Sequence, residues 1–198
     1  SLYDSYIKAI RWATDRLSDE GGVIGFVSNG SWIDGNAQDG LRKSVEEEFT
    51  SIYVFNLRGN ARTSGELRKK EAGNIFLSGS RTPISITVLV KDPSSTKENA
   101  DIYYHDIGDY LSRDNKLVRI REFGSVSSEL INWQHITPNE KGDWINHRNS
   151  SFEAYIPLTN KPQKTSNAFF NPVNSNGIKT NRDAWSYNSS SSELETNV

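Results

Sequence analysis

The sequence contains no cysteine, which excludes disulfide bonds, thiolate metal ligands and cysteine nucleophiles. It contains no apolar run long enough to cross a bilayer, and its first residues lack the basic-then-apolar pattern of a secretory signal. Methionine is also absent, and the chain opens close to the onset of a helical pattern. We therefore expect a piece excised from a longer protein.

The sequence has no excess of charge of one sign. Its 23 Lys and Arg residues stand against 25 Asp and Glu residues, for a formal net charge of -2. Any basic surface for nucleic acid must therefore be local. The hydrophobic share is 34% of 198 residues, which allows the core of one ordinary domain but not a core that uses the whole chain.

Apolar periodicity predicts helices and strands in alternation. Residues 2–17 and 37–49 carry apolar side chains at spacings of three and four, as amphipathic helices do. Residues 23–28 and 51–57 are short apolar runs rich in β-formers, which indicates buried strands. This helix–strand–helix–strand order predicts an α/β layer with parallel strands.

The next stretch, residues 58–83, is rich in Gly, Ser and charge and lacks periodicity, so a loop is expected. Residues 84–92 predict a central strand and residues 100–108 another, and the turn-forming sequence between them favours a β-hairpin. Residues 109–123 predict a short helix.

Beyond Gly124 the sequence becomes polar, with scattered aromatic residues and prolines. We place a domain boundary there, between a domain at 1–124 and a region at 125–198 that begins as an irregular linker.

The end of the strand at 23–28 is a candidate binding edge, because ligands of open α/β sheets bind beyond the carboxyl ends of parallel strands. There Ser28, Asn29, Ser31 and Trp32 form either a cleft wall or an ordinary turn whose polar groups bond their own backbone.

Two basic clusters are candidate phosphate-binding surfaces. A flexible basic segment beside a sheet edge suits phosphate contacts, although a solvated charge run is the alternative. The clusters are Arg58, Arg62, Arg68, Lys69 and Lys70, which have few neighbouring acids, and the Lys179, Arg182 and Trp185 group. In the second cluster, local ion pairing and a structural tryptophan are the alternative.

Phe76 stands alone among Gly and Ser, outside the period of the strand that follows. It is either an aromatic that stacks on a flat ligand such as a nucleobase, or a plug that closes the loop onto the core.

Self-sufficient catalytic sets are missing from the sequence. The three histidines, His105, His135 and His147, have no ligand spacing with each other or with carboxylates, so no metal is predicted. There is no phosphate-binding Gly-Lys-Ser/Thr loop and no nucleophile elbow.

Several segments, taken in order, resemble the second half of an N6-adenine DNA methyltransferase. Longer segments are similar to the type ISP restriction–modification enzymes, single chains that join a nuclease, an ATP-driven helicase-like motor, a methyltransferase and a target-recognition domain. The segments are SLYDSYIKAI, GGVIGFVSNGSWI, SIYVFNLRGNARTSGELRKKE, NIFLSGSRTPISITVLVKD, YYHDIGDYLSR, ITPNEKGDWINHR and KTNRDAWSYN.

The resemblance implies a partial Rossmann-like class I methyltransferase sheet at 1–124, followed by the start of target recognition. It implies a cytoplasmic prokaryotic enzyme that acts on double-stranded DNA and does not bind a membrane. The methyl donor would be S-adenosylmethionine, and ATP and Mg²⁺ would serve only the motor and nuclease domains.

Residue by residue, the resemblance makes Phe76 the aromatic that stacks on the flipped adenine, and Tyr6 an aromatic near the cofactor's adenine. The Gly-rich cofactor loop and the Asn-Pro-Pro-Tyr/Phe loop are not in this sequence, so no catalytic residue is assigned and the chain alone is expected to be inactive. A half-sheet would expose its edge, which makes a second copy a candidate partner. Two other readings stay open: a non-catalytic DNA-binding module, and a structural coupler or small-ligand domain.

Overall fold

The structure, a computed structural model, describes residues 4–76, 79–149, 151, 154–158, 168–170 and 189–197. The chain divides into two compact units, Ser1–Arg148 and Asn149–Val198. No helix in the described part of the chain is both long and apolar enough to cross a membrane.

The first unit alternates helices and strands. In chain order its elements are α1 (Ser5–Thr14), β1 (Gly22–Asn29), α2 (Asp39–Glu48), β2 (Ser51–Asn56), α3 (Gly65–Glu71), β3 (Ile84–Lys91), β4 (Asp101–Asp106), α4 (Arg113–Phe123) and β5 (Gln134–Ile136). Two short 3₁₀ turns, Gly30–Trp32 and Asn36–Gln38, connect β1 to α2. In the second unit the structure describes one helix, α5 (Ser191–Asn197).

The five strands form one mixed sheet in the order β1-β3-β2-β4-β5. Strand β3 is antiparallel to both β1 and β2, so β1 and β2 run in the same direction without touching. Strand β2 is parallel to β4, and β4 is antiparallel to β5. The predicted α/β class with a partial Rossmann-like sheet is confirmed.

One feature of the predicted topology is wrong: β3 and β4 do not form a hairpin, because β2 lies between them. Strand β3 is buried or half-buried along its whole length and pairs along both of its edges, which is what a central strand requires. Its two neighbours are the strands that precede it, so β4 pairs with the outer edge of β2 instead.

Packed elements lie on both faces of the sheet, and Val23 and Val27 of β1 stay exposed on one of them. On one face, α1 and α2 bury Ile7, Ile10, Leu41 and Val45 against strand residues that include Ile52. On the other face, Ile120 and Phe123 of α4 and the ring of Trp133 pack against residues that include Phe55 and Ile84. Each fully buried aliphatic side chain contributes about 1.5–3 kcal/mol, so these two clusters hold the layers together.

The first unit extends past the domain boundary predicted at residue 124. Strand β5 joins the sheet, and Trp144 is buried with its ring 5.1 Å from that of Trp32. Of the scattered aromatic residues that suggested a new domain, Trp133 and Trp144 therefore anchor this segment to the rest of the first unit. The compact unit ends at Arg148.

Arg42 fixes this segment to α2 from inside the protein. Its guanidinium donates to the Gly142 carbonyl at 2.6 Å and to the Trp32 and Gly35 carbonyls at 2.8 Å. Asp143 lies 3.5 Å away and is held more closely by Arg148. Burial lowers the pKa of Arg42, because three of these four partners are neutral.

Candidate functional site

The carboxyl ends of β1 and β2 meet at one edge of the sheet. In the ladder Asn29 lies opposite Ile84, and Asn56 lies opposite Ser85, so both strands end where β3 begins. The loops after β1 and β2 and the segment that enters β3 therefore converge. The Gly30 amide, for example, donates to the Pro83 carbonyl at 2.8 Å.

A small polar cavity of about 100 Å³ lies at this edge. Its lining includes two carboxylates and two side-chain amides, so it presents mainly hydrogen-bond acceptors and amide groups. The lining residues are Gly30, Ser31, Ile33, Asp34, Asn56, Asn60, Glu71, Pro83 and Ile145.

For the four residues predicted at the end of β1, the alternatives were a cleft wall and an ordinary turn, and the residues divide between them. Ser31 lines the cavity, whereas the Asn29 side chain accepts from the Ser31 amide at 2.9 Å, as in an ordinary turn. Trp32 is 1% exposed and belongs to the core. The Ser28 hydroxyl is buried with no hydrogen-bond partner among the described residues.

The segment that leads to Phe76 forms a second feature of this edge, which we call the aromatic loop (residues 72–76). The Asn74 side chain donates to the Gly59 and Thr82 carbonyls at 3.1 and 2.8 Å and accepts from the Phe76 amide at 2.9 Å. The Asn74 side chain thus ties the loop to the segments that contain Gly59 and Thr82.

The other side of the aromatic loop is held by the start of α4. The Gly73 amide donates to the Leu111 carbonyl at 3.3 Å, and Arg113 donates to the Ile75 carbonyl at 3.0 Å. The approach is so close that a Cβ on Gly73 would lie 2.5 Å from the backbone nitrogen of Arg113. The loop backbone is therefore bonded to the start of α4, and the Asn74 side chain bonds the loop to its other neighbours.

Phe76 itself is 48% exposed, whereas Ile75 packs against the second core cluster. Ile75 is thus the residue that closes the loop onto the core, which leaves the Phe76 ring available to a partner. Phe76 does not line the polar cavity.

Lys116 lies beneath the same loop and was missed by the sequence reasoning. It is fully buried, and its Nζ donates to the Glu71 and Gly73 carbonyls at 2.9 and 2.6 Å. Burial lowers the pKa of Lys116 to about 8. The surrounding sequence, NKLVRIREF, gives no signal that this lysine points inward.

The first basic cluster is more neutralised than its sequence suggests. Arg58 pairs with Asp106 at 2.6 Å and also with Asp109, and Lys70 lies 3.6 Å from Asp109. The expectation of few neighbouring acids is wrong, because the acids come from the end of β4, far along the chain.

The remaining cations of that cluster lie on or beside α3, a helix within the stretch predicted to be a loop. Arg68 donates to the Ala72 carbonyl at 2.8 Å, and Lys69 pairs with Glu66 at 3.3 Å on the surface. Arg62 is exposed. Arg81, which was not predicted as a site residue, is also exposed, and its carbonyl accepts from the Ala61 amide at 3.0 Å beside Arg62.

Two further predictions concern other parts of the chain. Tyr6 on α1 is half-buried and packs against the first core cluster, and burial raises its pKa. Part of the ring surface stays open to another group. Lys179, Arg182 and Trp185 lie outside the described residues.

Solved structures match almost the whole chain. The nuclease-deletion mutant of the Type ISP restriction-modification enzyme LlaGI, in complex with a DNA substrate mimic, is 47% identical over 99% of this chain, with a TM-score of 0.72. The ATP-dependent Type ISP restriction-modification enzyme LlaBIII, bound to DNA, is 44% identical over 98%, with a TM-score of 0.81. By sequence and fold, this chain corresponds to one segment of the Type ISP restriction-modification enzymes.

The resemblance to the Type ISP family seen in the sequence is thereby confirmed. A DrdV–DNA complex is also similar, at 34% identity over 99% of this chain and a TM-score of 0.74. The chain spans 15% of the LlaGI chain, 12% of the LlaBIII chain and 19% of the DrdV chain. No protein-family model and no curated protein matches it.

Proposed function

We propose that this chain supplies the base-binding edge of an N6-adenine DNA methyltransferase within a restriction–modification enzyme. The observation that carries the proposal is the half-exposed ring of Phe76, presented on a loop that hydrogen bonds hold on both sides. A ring held in this way suits stacking, because the loop loses little conformational entropy when a base binds.

Stacking is what the reaction needs from this edge. The amino group of adenine cannot be reached inside a duplex, so the base must leave the stack and be held by new contacts. A base stacked on an aromatic side chain gains roughly 1–3 kcal/mol. Phe76 would thus orient the ring, and catalysis would rest on positioning rather than on a covalent intermediate.

The methyl group would come from S-adenosylmethionine, which supplies an electrophilic methyl on a sulfonium. In this chain Tyr6 would contact the cofactor, since its ring is only partly covered by the core. The loops expected to hold the rest of the cofactor and to accept from the adenine amine are not in this sequence.

Double-stranded DNA would meet the exposed cations around the aromatic loop. Arg62, Arg81 and Lys69 are the exposed members, whereas Arg58 and Arg68 serve the local fold. The similar LlaGI, LlaBIII and DrdV chains were all solved with DNA or a DNA mimic, which supports a DNA partner for this segment. Target recognition would begin after Arg148, where the second unit starts.

The stacking role is tested by Phe76→Ala in a full-length enzyme that contains this chain. Loss of 1–3 kcal/mol of stacking predicts a fall in adenine methylation, as kcat/KM, of about 5- to 150-fold. ATP hydrolysis should stay unchanged. Phe76→Trp should retain most of the methylation, because the larger ring still stacks.

The matched control is Trp12→Ala, which removes an exposed aromatic side chain that lies on α1 and not on the aromatic loop. Unchanged methylation in the Phe76→Ala enzyme would reject the stacking role.

A further inference from the structure

Lys116 joins α4 to the base of the aromatic loop. Its two acceptors are the carbonyl of the last residue of α3, Glu71, and that of Gly73. Carbonyls at the end of a helix have no partner within the helix, so another donor must satisfy them. Lys116 supplies two hydrogen bonds at the point where the chain leaves α3 for Phe76.

A lysine is a costly choice for this role. Both acceptors are neutral carbonyls, and the residue is 0% exposed, so the charge is removed from water without a hydrogen-bonded carboxylate. The facing charges offset one another: Glu71 and Asp106 favour the ammonium, whereas Arg58 and Arg68 oppose it. The fold thus keeps a charged group under the loop that carries Phe76, although burial of that group lowers the stability of the protein.

We propose that Lys116 is a positioning residue for base capture, which ties the start of the aromatic loop to α4 and thereby holds Phe76 in place. The inference rests on the stacking role proposed for Phe76. Lys116 acts only through the loop, so it is not a catalytic residue.

The buried position of Lys116 links loop opening to pH. When the loop opens, the amine meets water and its pKa returns from about 8 towards 10.5. The open state then binds the proton more strongly, so opening becomes less favourable as the pH rises. With these two pKa values, the open population falls about tenfold between pH 7 and pH 9.

The clamp is tested by amide hydrogen exchange at Gly73 and Phe76 in this chain, corrected for the pH dependence of the chemical exchange rate. The wild-type chain is expected to gain about tenfold in protection between pH 7 and pH 9, and Lys116→Met should show no such gain. At pH 9 the wild-type amine is mostly neutral but still donates, so Lys116→Met should be about tenfold less protected. Equal profiles in the two chains, or a flat wild-type profile, would overturn the proposal.

Two features keep this test decisive. The wild-type profile needs no variant, so it stands even if Lys116→Met fails to fold. Lys97→Met is the matched control, since Lys97 is exposed and pairs with Asp101 away from the loop. This control should leave the protection of Gly73 and Phe76 and its pH dependence unchanged.

Action through Phe76 is tested by a double-mutant cycle on methylation in a full-length enzyme. The assay is run at pH 9, where the clamp is at full strength. If Lys116 works by positioning Phe76, Lys116→Met lowers kcat/KM there in the wild-type background and has no further effect when Phe76 is alanine. Additive losses would overturn the positioning role. A Phe76→Ala enzyme with full methylation would instead refute the proposed function, while the exchange profile would still decide whether the clamp exists.

Discussion

Replacement of Arg42 by methionine tests whether a buried guanidinium holds residues 139–148 against the rest of the first unit. Methionine keeps much of the side-chain length but removes the three hydrogen bonds to the Trp32, Gly35 and Gly142 carbonyls, which measure 2.6–2.8 Å. Hydrogen bonds from a charged donor are worth about 1.5–3 kcal/mol each, and relief of the buried charge offsets part of that loss. Asp143 keeps its pair with Arg148, so no unpaired carboxylate is created.

These contributions predict that Arg42→Met lowers the free energy of unfolding by about 3 kcal/mol, a large share of the 5–15 kcal/mol typical of a domain. Arg42→Lys should not restore it, because a single ammonium cannot reach both the carbonyl bonded to Nε and the two carbonyls bonded to Nη1. Urea denaturation followed by far-ultraviolet circular dichroism gives the comparison. The control, Arg11→Met, breaks a half-exposed pair with Glu48 and should cost less than about 1 kcal/mol. A similarly small loss for Arg42→Met would refute the reasoning.

Two further predictions concern acid stability and DNA affinity. Hydrogen bonds from Arg148 hold the pKa of Asp143 well below its usual 3.8, so this stability is present above pH 4 and is lost as the pH falls. Asp143→Asn should lower stability at pH 7 by about 3 kcal/mol and flatten the decline in acid, as measured by urea denaturation from pH 7 to pH 2; parallel curves would contradict it. The double variant Arg62→Gln/Arg81→Gln should weaken DNA binding and reduce the slope of log affinity against log salt by about 2, if each contacts one phosphate. An unchanged slope would remove both residues from the interface.

Four of the five strands were predictable because their signal is local, whereas the three-residue β5 was missed. The starts of β1, β2 and β3 lie within one residue of the predicted runs, since each is a short series of β-branched and aromatic residues bounded by polar ones. Their order was not predictable in the same way. Strand β3 is inserted between β1 and β2, and no residue within β3 encodes which strands it will pair with.

The short helix α3 was missed because it has no buried face. Its seven residues include no buried side chain, so the sequence GELRKKE shows no apolar period. The partners of the neighbouring cations were also out of reach. Asp106 and Asp109, which neutralise Arg58, lie 48 and 51 residues further along the chain. Sequence reasoning thus placed the basic cluster but not the charge left on it.

The exposure of the Phe76 ring was predictable from the sequence, but the contacts of Lys116 beneath the loop were not. Phe76 was selected because it is an isolated aromatic in a polar stretch, and the structure leaves it half exposed. Lys116 carries no sequence mark, because one lysine in a charged helix is typical of a solvated face. Its two hydrogen-bond acceptors are the carbonyls of Gly73 and Glu71, which lie 43 and 45 positions earlier in the chain.

The reversed direction of β3 has a consequence for how the family can diversify. Because β3 starts where β2 ends, everything between Leu57 and Ile84 is a single excursion that leaves the sheet and returns to the same edge. Insertions or deletions within that excursion leave every rung of the ladder in register, and the entropic cost of a longer connection grows only slowly with its length. Relatives can therefore vary the surface around the aromatic loop while keeping the same sheet.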